Sequence, residues 1–255
     1  MLNPVRSVLR IITVTGDVRR SLLILGLALG GAWFPACSAP DAGDAPVSAA
    51  PAPVATGSAP SGTARRASRP AVVFLGDSLA AGLGLSSELS FPALIQQRID
   101  AAGLDYTVVN AGVSGDTSAG GLRRLEWALQ GEPRVLVVAL GGNDGLRGLD
   151  PDELKKNLAA IIERAQRTGL SVILAGMEAP PNNGPDYTAQ FRQVYPDLAS
   201  TYKVPLIPFL LDGVAGDPAL NQADGIHPNA EGARRVADTV WKVLEPALQP
   251  ATRPS

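Results

Sequence analysis

Residues 71–82 read AVVFLGDSLAAG. The first five are apolar without alternation, and valine and phenylalanine suit an extended, pleated chain. Such a run fits a strand covered on both faces, as in a parallel sheet. It stops at Gly76-Asp77-Ser78, turn-forming residues, so a hydroxyl stands just past the strand's carboxyl end. Four similar runs follow: YTVVNA (106–111), RVLVVAL (134–140), SVILAGM (171–177) and VPLIPF (204–209). Helical segments are expected at 90–102, 117–131, 151–168, 187–202 and 229–247. The third is the best delimited, with Asp150 as cap, Pro151 at the first helical position, Glu153 three residues past the cap and Gly169 at the exit. Pro196 is expected to kink or split the fourth. Strict alternation of strand and helix predicts an α/β fold, a doubly wound three-layer α/β/α sandwich around a five-stranded parallel sheet.

Sheets of this kind bind ligands beyond the carboxyl ends of their strands, and there the chain carries chemistry. The first strand runs into Ser78, the second into NAGVSGDTS with Gly112, the third into GGNDGLRG with Asn143, and the last into DGIHPN with His227. A serine hydroxyl is a weak nucleophile without a base in reach. With one histidine in 255 residues, His227 is the only imidazole for that role. Asp224 lies three residues earlier, placed to hold the ring's other nitrogen. A tetrahedral intermediate needs fixed donors for its oxyanion; the N–H groups of Ser78 and Gly112 and the amide of Asn143 are the candidates.

GDSL at 76–79, Gly112 within NAGVSGDTS, GGND at 141–144 and DGIHP at 224–228 occur in the order seen in the SGNH (GDSL) hydrolase superfamily, which this chain resembles over about residues 71–248. SGDTS, GGNDGLRG and DGIHPN are similar in particular to the bacterial thioesterase I, lysophospholipase L1 and arylesterase branch. The resemblance implies a flavodoxin-like SGNH hydrolase fold, with Ser78 as nucleophile, His227 as base and Asp224 as its orienter. It also implies an oxyanion hole of Ser78, Gly112 and Asn143. The acyl pocket is expected from loops after the first, third and fourth strands, through Leu79, Leu146, Met177 and Pro180. GLRGL (145–149) is read as a lid. Asp77 and Asp144 are read as holding their own turns, Asn110 as capping the second strand, and Ser114, Asp116, Thr117 and Ser118 as a helix entry.

The N-terminal segment is of another kind. Four arginines within residues 1–20 precede SLLILGLALGGAWF, a basic region and an apolar core in the pattern of a secretory signal, and FPAC then places the single cysteine, Cys37. The arrangement resembles a bacterial lipoprotein signal with lipid on Cys37; ordinary cleavage near Ala36 or Ala39 is the alternative. Residues 38–70, rich in Ala, Pro, Ser and Gly, read as a disordered tether. The organisation is therefore signal region 1–37, tether 38–70 and hydrolase domain 71–249, with an extracytoplasmic, periplasmic location and membrane anchoring if Cys37 is lipidated.

Formal charge is −2 overall, and no basic stripe marks the folded part, which argues against nucleic acid as partner. One Cys and one His cannot form a zinc site of the usual ligands, and no metal or cofactor is expected. A monomer acting on a small-molecule ester is the simplest reading. The function expected is a serine esterase acting through an acyl-enzyme on aryl esters, short to medium acyl esters or thioesters, and lysophospholipids. The alternatives are an extracytoplasmic carbohydrate or cell-wall O-deacetylase and a catalytically dead binding module. Only 5% aromatic content weighs against a sugar platform, and the retained Ser, Asn and His weigh against a dead site.

Overall fold

The structure is a computed structural model that describes residues 69–249. The signal region and nearly all of the tether lie outside the described residues. Arg69, just before the first strand, pairs with Asp100 and Asp105.

Strand β1 (Ala71–Gly76) is buried at every position. It runs into the single-turn helix α1 (Ser78–Ala81), then α2 (Phe91–Ala101), which Ser90 caps by accepting from Ala93 N–H. Strand β2 (Thr107–Gly112) is followed by α3 (Ser118–Arg123) and α4 (Leu125–Ala128). Strand β3 (Pro133–Ala139) leads into the short α5 (Gly142–Leu146) and the long α6 (Pro151–Arg167), with Asp150 as its cap. Strand β4 (Ser171–Ala175), α7 (Pro185–Tyr202), β5 (Leu206–Ile207) and α8 (Ala230–Leu248) complete the domain.

The sheet is five-stranded and parallel, in the order β2-β1-β3-β4-β5. Helix α2 packs on α8, while α3 packs on α6 and α6 on α7. Two helical layers therefore enclose the central strands, and the buried residues of β1, β3 and β4 form one core with both layers. Each fully buried Val, Leu or Phe contributes roughly 1.5–3 kcal/mol. The strand order reverses direction between β1 and β3, so the crevice for a ligand opens beyond their carboxyl ends, where Ser78 and Asn143 stand.

Four details depart from the sequence reading. The segment 117–131 is two helices, broken at Arg124 with φ −103° and ψ 8°, where the side chain turns inward to the strand ends. Helix α7 runs unbroken through Pro196. A proline removes one N–H bond, and Pro196 lies on the exposed side while buried Phe191, Val194, Tyr195 and Leu198 hold the other. Strand β5 has two residues rather than six, because Pro205 and Pro208 bracket it without N–H groups to extend the ladder. Strand β2 is an edge, and its Val109 and Asn110 are exposed, not covered on both faces.

Candidate active site

The site grows from the ends of β1 and β3 and from the loop before α8. Asp77 caps α1, its Oδ1 accepting from Leu79 N–H at 3.0 Å. Gly82 closes the turn in the left-handed region at φ 72°. This single turn leaves Ser78 at the helix's first position, where its N–H has no acceptor among the described residues. An N–H at that place is the kind that stabilises developing negative charge.

The loop of His227 is built by Asp224. One carboxylate oxygen accepts from the N–H groups of Ile226 and His227, each at 3.0 Å, and the other meets His227 Nδ1 at 2.7 Å. His227 Nε2 stands 2.9 Å from Ser78 Oγ. Gln222 pins this loop, its N–H donating to His227 O at 2.7 Å and its side-chain amide to Leu83 O at 2.7 Å. The Ile226 N–H and the His227 ring and N–H together lower the Asp224 carboxyl to about 2. It thus stays anionic while the ring beside it gains or loses a proton.

Asp77 is the opposite case. It is buried, and burial raises its carboxyl from 3.8 to about 6 against the lowering effects of Leu79 N–H, His227 and Asn143. Asn143 follows Gly141, whose φ of 114° is open to glycine and whose Cβ, if present, would stand 2.0 Å from Tyr195 Oη. The Asn143 amide donates to Asp116 O at 2.9 Å and to Asp77 Oδ2 at 3.3 Å. Its neighbour Asp144 does not hold its own turn, as the sequence suggested. It reaches back to Ser118, accepting from N–H at 2.8 Å and from Oγ at 2.6 Å, which locks the third strand's loop to the start of α3.

Gly112 is the expected donor that the structure does not bring to the site. Its N–H is donated to Asn110 Oδ1 at 3.0 Å, and a Cβ there would lie 2.3 Å from Ala81 N. It is a packing glycine that lets α1 close on β2. Gly115, three residues on, stands at φ 82° and was not singled out from the sequence. The Gly115 N–H meets no acceptor among the described residues, and the next carbonyl, Asp116 O, holds the Asn143 amide. The signal was the second glycine of the same loop, set between Ser114 and Asp116.

A cavity of about 520 Å³ opens beside Ser78, His227 and Asn143. Leu79, Leu146, Met177 and Pro180 line it, together with Phe209, Leu211 and Ile226, which pattern alone did not indicate. The segment read as a lid is tied down: Arg147 donates to Gly115 O at 2.8 Å and Tyr187 Oη to Leu149 O at 2.8 Å. Among the described residues no group of three His, Cys, Asp or Glu side chains is placed to hold a metal ion.

A hydroxyl, an imidazole and a carboxylate in series, with the free Ser78 N–H at the hydroxyl's side, can carry acyl transfer to and from serine. Residues 74–235 match the GDSL-like Lipase/Acylhydrolase family. The chain belongs to that family.

The esterase TesA of Pseudomonas aeruginosa is 45% identical over 185 residues, covering 72% of this chain and 92% of that protein. The thioesterase 1/protease 1/lysophospholipase L1 of Escherichia coli K12 is 40% identical, covering 73% of this chain and 88% of its own. The crystal structure of TesA superposes with a TM-score of 0.68 at 46% identity, covering 70% of this chain and 99% of that one. This lipase/acylhydrolase family member is thus an enzyme of serine ester hydrolysis, in the branch that the sequence resembles.

Proposed function

We propose that Ser78, His227 and Asp224 are the catalytic triad of this family member and that it hydrolyses carboxylic esters and thioesters through an acyl-enzyme. The observation that carries the reading is the continuous series from Asp224 Oδ2 to His227 Nδ1 at 2.7 Å and from Nε2 to Ser78 Oγ at 2.9 Å. Ser78 Oγ attacks the carbonyl carbon as Nε2 takes its proton, and the carbonyl electron pair moves onto oxygen. The Ser78 N–H, the Gly115 N–H and one Asn143 amide N–H, released from its 3.3 Å bond to Asp77 Oδ2, receive that oxyanion. Collapse re-forms the carbonyl and expels the alkoxide or thiolate, which takes the proton from Nε2. Water, deprotonated by His227, then attacks the acyl-serine, and the acid leaves as Ser78 Oγ regains its proton.

The largely apolar cavity of about 520 Å³ supports acyl groups of short to medium length, aryl esters and lysophospholipids over acetylated sugars. The test is p-nitrophenyl ester hydrolysis across acyl lengths by wild type, Ser78→Ala and His227→Ala. Each variant should lose at least ~10³-fold in turnover; activity retained in either one overturns the assignment.

The reading extends to location: an extracytoplasmic, periplasmic enzyme acting as a monomer and anchored by lipid on Cys37. The basic region, apolar core and cysteine at residues 1–37 support it. Cells fed a labelled fatty acid should label the wild type and not Cys37→Ser; equal labelling refutes the anchor.

A further inference from the structure

We propose that Arg124 is a positioning residue for the oxyanion side of this site, acting through the carbonyls and the carboxylate it clamps. The proposal rests on the esterase reading above. Arg124 lies at the break between α3 and α4, with its side chain only 16% exposed. Its Nη2 donates to Gly76 O at 2.7 Å and its Nη1 to Ala111 O at 2.7 Å, while Nε donates to the Asp116 carboxylate. One guanidinium therefore joins the end of β1, two residues before Ser78, to the end of β2 and to the loop that carries Gly115.

The clamp has a local cause. Gly76 O accepts from Val113 N–H at 3.0 Å and takes the guanidinium as a second donor, and Ala111 O takes another of its N–H groups, so the fork serves carbonyls at two strand ends. A planar fork with five donors can serve two carbonyls and a carboxylate together, which an ammonium cannot do in one geometry. At the helix break Arg124 has φ −103° and ψ 8°, and its fork reaches the two strand ends and Asp116 from there.

The consequence for chemistry follows from what else the clamped loop holds. Asp116 offers its carboxylate to Arg124 and its main-chain oxygen to the Asn143 amide. Gly115, the preceding residue, carries the unpartnered N–H. The His227 loop is fastened independently, through Gln222 to Leu83 O and through Asp224. Arg124 thus bears on the donors around the oxyanion and makes no contact with the Ser–His–Asp series. Donor placement matters on a sub-ångström scale, since a misplacement of about 1 Å costs on the order of 10²-fold in rate.

The test compares wild type, Arg124→Lys and Arg124→Ala on a p-nitrophenyl ester, with active sites counted by burst titration. Both variants should lose roughly 10- to 100-fold in kcat per titrated site, with KM changed less than about threefold. The pH dependence of kcat/KM should keep its acid limb, because His227 and Asp224 are untouched. Affinity for an alkyl boronic acid, whose tetrahedral Ser78 adduct fills the oxyanion position, should fall with kcat. Guanidinium ion added to Arg124→Ala should restore part of the turnover. A purely structural role predicts instead fewer titratable sites with normal kcat per site, and that result, or a moved acid limb, overturns the proposal. If Arg124→Ala fails to fold, Arg124→Lys decides alone, since a kcat within twofold of wild type refutes the clamp. An inactive wild type, or an active Ser78→Ala, refutes the esterase reading instead, so the two failures are distinguishable.

Discussion

Replacing Asp77 by asparagine should remove a pH-dependent loss of stability that the wild type carries. Burial lifts the Asp77 carboxyl from 3.8 to about 6, so the folded protein holds this proton more tightly than the unfolded chain does. Below pH 3.8 both states are protonated and there is no penalty. Between 3.8 and about 6 the unfolded chain ionises first, and stability falls as pH rises. Above about 6 the penalty is complete, at about 3 kcal/mol from the difference between 6 and 3.8. By pH 4.5 about 1 kcal/mol of it has developed, leaving about 2 kcal/mol to appear by pH 8. The side-chain amide in Asp77→Asn would keep an oxygen for the Leu79 N–H and would not titrate. It would set an amide against the Asn143 amide, losing about 1 kcal/mol at every pH. The stability difference between Asp77→Asn and wild type should therefore shift by about 2 kcal/mol in the variant's favour from pH 4.5 to 8. Urea unfolding of both proteins at four pH values, with a check that the slopes agree, measures it. Parallel stability curves would refute the argument that a buried carboxylate beside the nucleophile is held charged at a cost.

Other expectations are as direct. Asp224→Asn should lose roughly 10³- to 10⁴-fold in kcat by releasing the imidazole's orientation, which steady-state kinetics of the folded variant will show. Because the Asp224 carboxyl lies near 2, its carboxyl carbon resonance in NMR should not titrate between pH 7 and 4, and a midpoint inside that range would refute the hold of the Ile226 and His227 N–H groups on it. Gly112→Ala should destabilise by about 1–3 kcal/mol, since its Cβ would press on the backbone of Ala81 and Ala80; an unchanged melting temperature would refute the packing role. Met177→Trp should fill part of the cavity and shift the preferred p-nitrophenyl ester to shorter acyl chains, with the acetate rate least affected.

Much of this protein is legible along the chain. Strands buried on both faces leave continuous apolar runs, and β1, β3 and β4 stand where such runs occur. The parallel sheet follows from alternation with helices, and the proposed triad was traceable because a hydroxyl needs a base and the chain holds a single imidazole. The short β5 was also written in Pro205 and Pro208, a signal that apolar content outweighed.

What required the folded molecule is everything that depends on direction and burial. Two glycines in NAGVSGDTS look alike in sequence, yet one N–H turns to Asn110 and the other has no acceptor, a matter of backbone angle and neighbours. Arg124 reads as one residue of an amphipathic helix until strand ends 13 and 48 positions away supply its carbonyl partners. Asp144 looks like a turn residue until Ser118 is seen against it. The chemical types of the site and the periodicity of its scaffold are local properties, so sequence alone determined them. Which loop N–H is left without an acceptor, which carboxylate burial lifts to about 6 and which cation braces the loops arise from groups far apart in the chain, and tertiary packing alone decided them.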